Sequence, residues 1–462
     1  MVTSSHSTLN DIKWRLEKQS PKWLLPFQAD AAKIVECATR GETAGLGWQW
    51  LANITDSFGS RFVGSESLEK AIDYVVERGR EQGFDNVHKE AVPRLPKWIR
   101  GEETVQLLKP RKYRMSALAV GLSEGGEVQA EAVVVRSFEE LDAVGKEGKV
   151  KGKIVVYNEA WSGGYSGTVK YRRGANRAAK WGGVAALIRS VTPFSIYSPH
   201  TGMMGYNKGV KHIPAACITV EDAEMLWRMQ QRGSPIEIYI KMGAHYNGTV
   251  TSYNTVLELK GSEKPSEIVL ISGHFDSWDV GQGAMDDGGG VATMWTALTT
   301  LKQLGLRPKR TIRVVLWTAE EIGMRGAQYY YSAHKKFGNE TFVFVSESDM
   351  GAWKPTAQAR LDFSGSTRSR CKMQQIITLL KRNGIPMKLQ RAKPSGQGDV
   401  AFWAQDGVPA AEYINQEKYE YYFYFHHTNG DTITVLKPQD LSYLGAAYAV
   451  IAHVIANMEE SL

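Results

Sequence analysis

The sequence predicts an α/β protein whose main sheet is doubly wound and whose chain is interrupted by a β-rich insertion. Three observations carry this. From residue 250 onward, apolar strand-like runs alternate with helical periodicity, as in a layered α/β sheet. Those runs end in acidic residues and histidines, and open α/β sheets bind ligands at the carboxyl ends of their strands. Between about 121 and 245 the texture changes to short strands and glycine-bearing loops without a catalytic constellation. The resulting division is 1–120 and 246–462 as two parts of one catalytic domain, with 121–245 inserted between them.

Each element has a local reason. Ser67-Leu68-Glu69-Lys70-Ala71-Ile72-Asp73-Tyr74 begins a helix with Ser65 or Ser67 as its N-cap and Gly83 as its stop. Asp56 to Arg61 is turn-like, and residues 88–120 alternate apolar and polar as half-buried strands do. Within the insertion, 132–135 and 152–157 read as short strands. A small-residue helix over 175–183 precedes a further apolar run at 184–188, and Gly163, Gly164 and Gly167 make a flexible loop. Beyond 250, helices over 288–304, 326–337 and 438–458 follow the loops that carry the acidic and histidine residues. The chain shows no internal repeat and no low-complexity tract.

Composition excludes several function classes. A chain of 462 residues holds two or three domains and a substantial core. No apolar run is long enough to span a bilayer. Lys and Arg exceed Asp and Glu by 56 to 49, a net charge of +7 that is not gathered into one block. The densest cluster, Arg307-Pro308-Lys309-Arg310, precedes a strand and reads as a solvated face, so no nucleic-acid partner is expected. Cys37, Cys217 and Cys371 lack the spacing of a disulfide framework or a structural zinc site. The basic stretch Arg368-Ser369-Arg370 lies beside Cys371, where an ordinary thiol is the weightier reading. Met1 to His6 shows no apolar signal-peptide core, and Asn53, Asn247 and Asn339 stand in glycosylation sequons.

The chemistry is concentrated in four segments. His274-Phe275-Asp276 ends one apolar run, and Asp276 is a poor co-ligand but a plausible acceptor for the His274 imidazole N–H. Asp286 lies in Gly281-Gln282-Gly283-Ala284-Met285-Asp286-Asp287-Gly288, where glycines let backbone close around a carboxylate able to bridge two cations. A phosphate cradle is excluded there, because two carboxylates would repel phosphate. Glu320 and Glu321 follow a strand; at such a junction their side chains diverge, one toward metal and one toward water. Asp349 closes a third strand in the same way. His427 precedes Thr428-Asn429-Gly430-Asp431, with Asp431 placed to orient its ring and His426 open to exposure. Together His274, Asp286, Glu321, Asp349 and His427 form two trios sharing one carboxylate, which suits two divalent ions about 3.5–4 Å apart. Ligation by nitrogen and oxygen without thiolate favours zinc, with manganese or cobalt conceivable. The aromatic run from Tyr419 to Phe425 lines a cleft, forms a packed β segment or makes a subunit contact; the residues leave all three open.

Gly273-His274-Phe275-Asp276, Gly283-Ala284-Met285-Asp286-Asp287 and Glu320-Glu321-Ile322-Gly323-Met324-Arg325-Gly326 resemble the co-catalytic di-zinc exopeptidases of the aminopeptidase and glutamate carboxypeptidase family. Asp349 and His427-Thr428-Asn429-Gly430-Asp431-Thr432 match its remaining ligand motifs. The resemblance implies a phosphorylase/hydrolase-like, three-layer αβα zinc-exopeptidase domain, with the insertion a protease-associated domain. It implies two zinc ions per subunit bridged by Asp286, with His274 and Asp349 on one ion and Glu321 and His427 on the other. Glu320 would then be general base, with Asp276 orienting His274, and the peptide after the bridging aspartate, Asp286–Asp287, would be cis. Also implied are unblocked dipeptide or short-peptide substrates, a homodimer, and secreted or lysosomal residence, with cytoplasmic residence as the alternative. Two rivals remain: an inactive receptor on the same fold, and a single-zinc acyltransferase such as glutaminyl cyclase. Metal stoichiometry separates them. Aminopeptidase, carboxypeptidase and dipeptidase activities are not distinguished by the metal site.

Overall fold

The computed structural model describes residues 21–338, 340–396 and 398–462. The chain builds β1 (Asn86–Ile99) and then leaves it for β2 (Glu103–Lys109), β3 (Tyr113–Met115), β4 (Ala117–Ala119), β5 (Gly126–Val135) and β6 (Ile154–Tyr157). Strands β7 (Ala185–Arg189), β8 (Ala215–Ile218) and β9 (Glu237–Met242) complete this excursion. The return is through β10 (His245–Leu259), β11 (Lys264–His274), β12 (Arg310–Trp317), β13 (Thr341–Glu347), β14 (Ala359–Ser364), β15 (Lys388–Arg391) and β16 (Ala410–Asn415).

Two mixed sheets result. The first runs β1-β10-β12-β11-β13-β16-β14-β15, and its centre, β12-β11-β13-β16, is parallel. The second runs β3-β2-β9-β5-β6-β7-β8-β4. Its first strands, β2 to β4, precede residue 121, so the second sheet begins earlier than texture alone indicates. The stretch 88–120 is mostly strand, broken at 100–102 and 110–112, and only β1 stays with the first sheet.

Alternation along the central strands explains the layers. Val269 and Ile271 of β11, with Ile312, Val314 and Leu316 of β12, join the core beneath helices Gly289–Gln303 and Pro438–Asn457. Ile268 and Leu270, with Val315 and Trp317, face the other way, into a core with Ala327, Tyr330 and Trp403. Side chains of period two thus bury both faces of one sheet. Helix Gly289–Gln303 is buried almost all round, because Pro438–Asn457 covers the side that the sheet does not. Helix Glu66–Glu81 starts where predicted, the Ser65 hydroxyl accepting from Leu68 N, and Gly83 takes φ 73° just past its end. The glycine loop of the insertion contains a short helix, Gly164–Thr168. Among the described residues, no helix is long and apolar enough to cross a membrane. Asn53 and Asn247 are exposed, while Met1 to His6 and Asn339 lie outside the described residues.

A charged clip on one face of the sheet makes stability depend on pH. The His334 ring lies between Glu90 of β1, 2.8 Å from Nε2, and Glu340, 3.0 Å from Nδ1. Arg313 of β12 binds both oxygens of Glu340 at 2.7 Å. Burial works against a charged ring, but Glu340 and Glu90 outweigh it and push the His334 pKa up to about 9. Burial likewise opposes charge on Glu90 and Glu340, but His334 and their other partners bring both down to about 2. The raised imidazole stabilises the fold fully below its ordinary 6.5, and that contribution is lost as pH rises through about 9. The depressed carboxylates contribute above 4.5 and lose their contribution as pH falls toward 2. His334→Gln is therefore expected to cost about 2–3 kcal/mol at pH 6. Denaturant unfolding of zinc-free protein should show that gap narrowing by pH 10; a pH-independent gap would contradict it.

Candidate metal centre

The site forms where the parallel strands end. His274 is the last residue of β11, and its Nδ1–H donates to the backbone carbonyl of Asp276 at 2.9 Å. That leaves Nε2 facing inward, 3.1 Å from Asp286 Oδ1 and 3.1 Å from Asp349 Oδ1. His427, from the segment after helix Tyr419–Phe425, is arranged in the same manner. Its Nδ1 lies 3.2 Å from the Thr201 carbonyl, and Nε2 stands 3.2 Å from Asp286 Oδ2 and 3.1 Å from Glu321 Oε2. All five residues singled out as ligands thus converge, and Asp286 turns one oxygen to each imidazole. His426 and Asp287 also come within reach of this cluster.

The local sequence explains how these atoms are held. The Asp286–Asp287 peptide is cis. The Asp287 carboxylate accepts from His274 N and from Gly290 N, both at 3.1 Å, tying the end of β11 to the start of helix Gly289–Gln303. Only glycine fits at 290, where a Cβ would stand 1.9 Å from the Ser348 carbonyl and 2.3 Å from Asp287 Oδ1. Arg61 is fully buried and fastens the intervening loop, donating to the carbonyls of Phe275, Gln282 and Gly283 at 2.8 Å each. Burial draws its pKa down to about 10, with Asp431 and Asp276 opposing.

Two orienting roles differ from expectation. The Asp276 carboxylate is 3.9 Å from His274 Nδ1, so it is the carbonyl of that residue that orients the ring. The carboxylate instead accepts from Glu320 N at 3.0 Å and Glu321 N at 3.3 Å, pinning the turn after β12. Asp431 does not touch His427. It accepts from Met285 N at 2.7 Å and Asp286 N at 3.2 Å, while burial, with Asp286 adding, pushes its own pKa up to about 7. His426 is buried rather than exposed and stacks on His427 with ring centroids 3.5 Å apart. The aromatic run forms helix Tyr419–Phe425, not a β segment, and Phe423 packs on Trp161 and Tyr165 of the inserted stretch. Thr201, Arg61 and Asp287 were not foreseen; Asp287, adjacent to Asp286 in a glycine-rich turn, was the one with a visible signal.

The electrostatics call for positive charge. Burial disfavours a charged imidazole at 274, yet Asp349 and Asp286 hold that group well above its ordinary range. Burial lowers His427, and Asp286 does not overcome that with Arg172 nearby. Glu320 and Glu321 are both held well above the usual carboxylate range, first by burial and then by neighbouring carboxylates. Asp286 Oδ2 and Glu321 Oε1 are buried without a hydrogen-bond donor. Inward imidazole nitrogens and undonated carboxylate oxygens form a nitrogen-and-oxygen set without thiolate, a fit for divalent metal of the zinc type. A cavity of about 820 Å³ lined by Trp23, Phe27, Leu306 and His453 opens at the other end of the strands, away from the clustered ligands.

Comparisons with known proteins agree with this geometry. The profile of peptidase family M28 matches residues 254–452. Carboxypeptidase Q from Mus musculus is 45% identical over 98% of this chain and 94% of its own length. The crystal structure of a peptidase M28 precursor from Shewanella amazonensis SB2B superposes with a TM-score of 0.87 at 33% identity, covering 95% of this chain and 98% of that one. BSAP, a zinc aminopeptidase from Bacillus subtilis, shares the fold, with a TM-score of 0.67 at 19% identity over 90% of this chain and 96% of its own.

Proposed function

The chain belongs to peptidase family M28, and from that premise we propose that it is a two-zinc exopeptidase hydrolysing unblocked dipeptides or short peptides. The observation that carries this reading is one carboxylate, Asp286, between two imidazoles that each have a further carboxylate of their own. His274 and Asp349 would hold one zinc, Glu321 and His427 the other, and Asp286 both. When bound, the pair supplies Lewis acidity that polarises a carbonyl and lowers the pKa of water toward neutrality. Glu320 accepts the proton of the water that attacks the scissile carbonyl carbon. The carbon–nitrogen bond breaks as Glu320 returns that proton to the departing amine. Asp276 keeps Glu320 in position by accepting the backbone N–H groups of both glutamates. In the same reading the second sheet is a protease-associated domain, the protein works as a homodimer, and its setting is secreted or lysosomal.

The test is hydrolysis of a free dipeptide and its N-acetylated form by the purified protein, after zinc removal and after zinc return. Zinc-dependent release of amino acids from the free dipeptide alone is the expected result. Equal cleavage of the acetylated form would remove the requirement for a free amine. No cleavage of either with zinc restored would overturn the peptidase reading.

A further inference from the structure

His427, one of the two proposed imidazole ligands, leans on the inserted stretch in a way that His274 does not. Its backbone takes φ 60°, a left-handed conformation that a residue with a Cβ keeps only where its surroundings hold it. The holding bonds come from His200 and Thr201. Thr201 N donates to the His427 carbonyl at 3.0 Å, and the Thr201 carbonyl faces His427 Nδ1 at 3.2 Å. One residue back on each side, His200 Nδ1–H donates to the His426 carbonyl at 2.7 Å. His274 is instead held by Asp276 and Asp287, both on the segment that follows its own strand.

This clasp is anchored at one side chain. Arg100 stands where the chain passes from β1 to β2, and its side chain is 11% exposed. Its Nε and Nη2 donate to the two oxygens of Asp279 at 2.8 and 2.5 Å, and Nη1 reaches Glu103 at 3.2 Å. Nη1 also donates to the Ala119 carbonyl at 2.6 Å, and that carbonyl accepts from the Thr201 hydroxyl at 2.8 Å. Nη2 lies 3.4 Å from the same hydroxyl. One guanidinium thus joins Thr201 to Asp279, on the loop that runs from His274 to Asp286. The Asp279 limb of that loop borders His427 as well, with the Trp278 and His427 ring centroids 5.5 Å apart. Trp278 lies so close to Gly121 that a Cβ there would stand 2.0 Å from the indole.

A planar fork that takes one carboxylate through two donors has no equivalent in lysine. Groups that orient a ligand imidazole set metal affinity, and losing one typically costs about 10–100-fold. We propose that Arg100 is a positioning residue for one metal of the pair. It seats Thr201, Thr201 sets the His427 ring, and zinc between Glu321 and His427 therefore depends on the seam between the two sheets. Zinc at His274 and Asp349 does not. This rests on the two-zinc reading and divides its metals by what holds their ligands.

The experiment titrates metal-stripped protein with zinc, in competition with a chelating indicator, for the wild type, Arg100→Gln, Arg100→Lys and Thr201→Val. The wild type should show two zinc events. Arg100→Gln should weaken one of them by about 10–100-fold and leave the other unchanged. Arg100→Lys keeps the charge without the fork, and Thr201→Val removes only the hydroxyl; both should weaken the same event by less. Two backgrounds assign that event. Added to Asp349→Ala, which leaves the zinc at Glu321 and His427, Arg100→Gln should produce the whole loss. Added to Glu321→Ala, it should produce none. Urea unfolding of each zinc-free protein accompanies the titrations. Equal weakening of both events, in step with lost stability, would overturn the proposal by making Arg100 structural. Unchanged affinities, or a loss confined to the ion at His274, would overturn it as well. If Arg100→Gln yields no folded protein, Thr201→Val and Arg100→Lys decide by the same criterion. Wild-type uptake of fewer than two ions would overturn the two-zinc reading, and this proposal with it.

Discussion

Glu320→Gln is expected to lower kcat for dipeptide hydrolysis by about 10²–10⁴-fold, the usual contribution of a positioned general base. The two adjacent glutamates are distinguished by where they point. Glu321 is 3% exposed and reaches His427 Nε2 at 3.1 Å. Glu320 is 17% exposed, and its nearest approach to His274 Nε2 is 4.0 Å, outside the 3.1–3.2 Å contacts of the five clustered residues. It therefore stands back from the cluster and is the more exposed of the two, while its backbone N–H is held by Asp276. Glutamine keeps the shape and the backbone hydrogen bond but cannot take a proton. Bound zinc and KM should stay near the wild-type values while kcat falls. A variant within about threefold of the wild-type kcat would assign the proton to another group.

Asp286→Ala is expected to act on both halves of the centre at once. Removing a residue that only orients a metal ligand typically weakens metal binding by about 10–100-fold. Asp286 stands in direct reach of both imidazoles, so its loss should weaken zinc by more than about 10²-fold and remove dipeptide hydrolysis. Asp349→Ala touches one trio alone, and calorimetric titration should show it sparing one of two zinc events. Retention of two tight zinc events in Asp286→Ala would remove it from the bridging position.

The ligand residues were legible because they sit at the ends of apolar strands in local motifs, and β11, β12 and β13 deliver those ends to one edge of the sheet. What local pattern does not carry is closure across distance. Thr201 reaches His427 from 226 residues away and Arg61 reaches Phe275 from 214, and neither has a neighbouring motif that marks it. The roles of Asp276 depend on backbone direction after β11, which decides whether carbonyl or carboxylate meets the ring. The early start of the second sheet was hidden because β1 and β2 share one alternating texture and differ only in partner. The run Tyr419–Phe425 has the aromatic composition of a strand. It becomes a helix in which Tyr419 meets Phe423 and Tyr421 meets Phe425, four residues on, at ring-centroid distances of 5.3 and 5.0 Å.

The most direct measurement is the number of zinc ions taken up per chain when metal-stripped protein is titrated with zinc and its dipeptide hydrolysis is followed in parallel. Two ions per chain, with activity returning as they bind, is the predicted result. Uptake of no zinc, or of one ion with full activity, would contradict a paired metal centre built on Asp286.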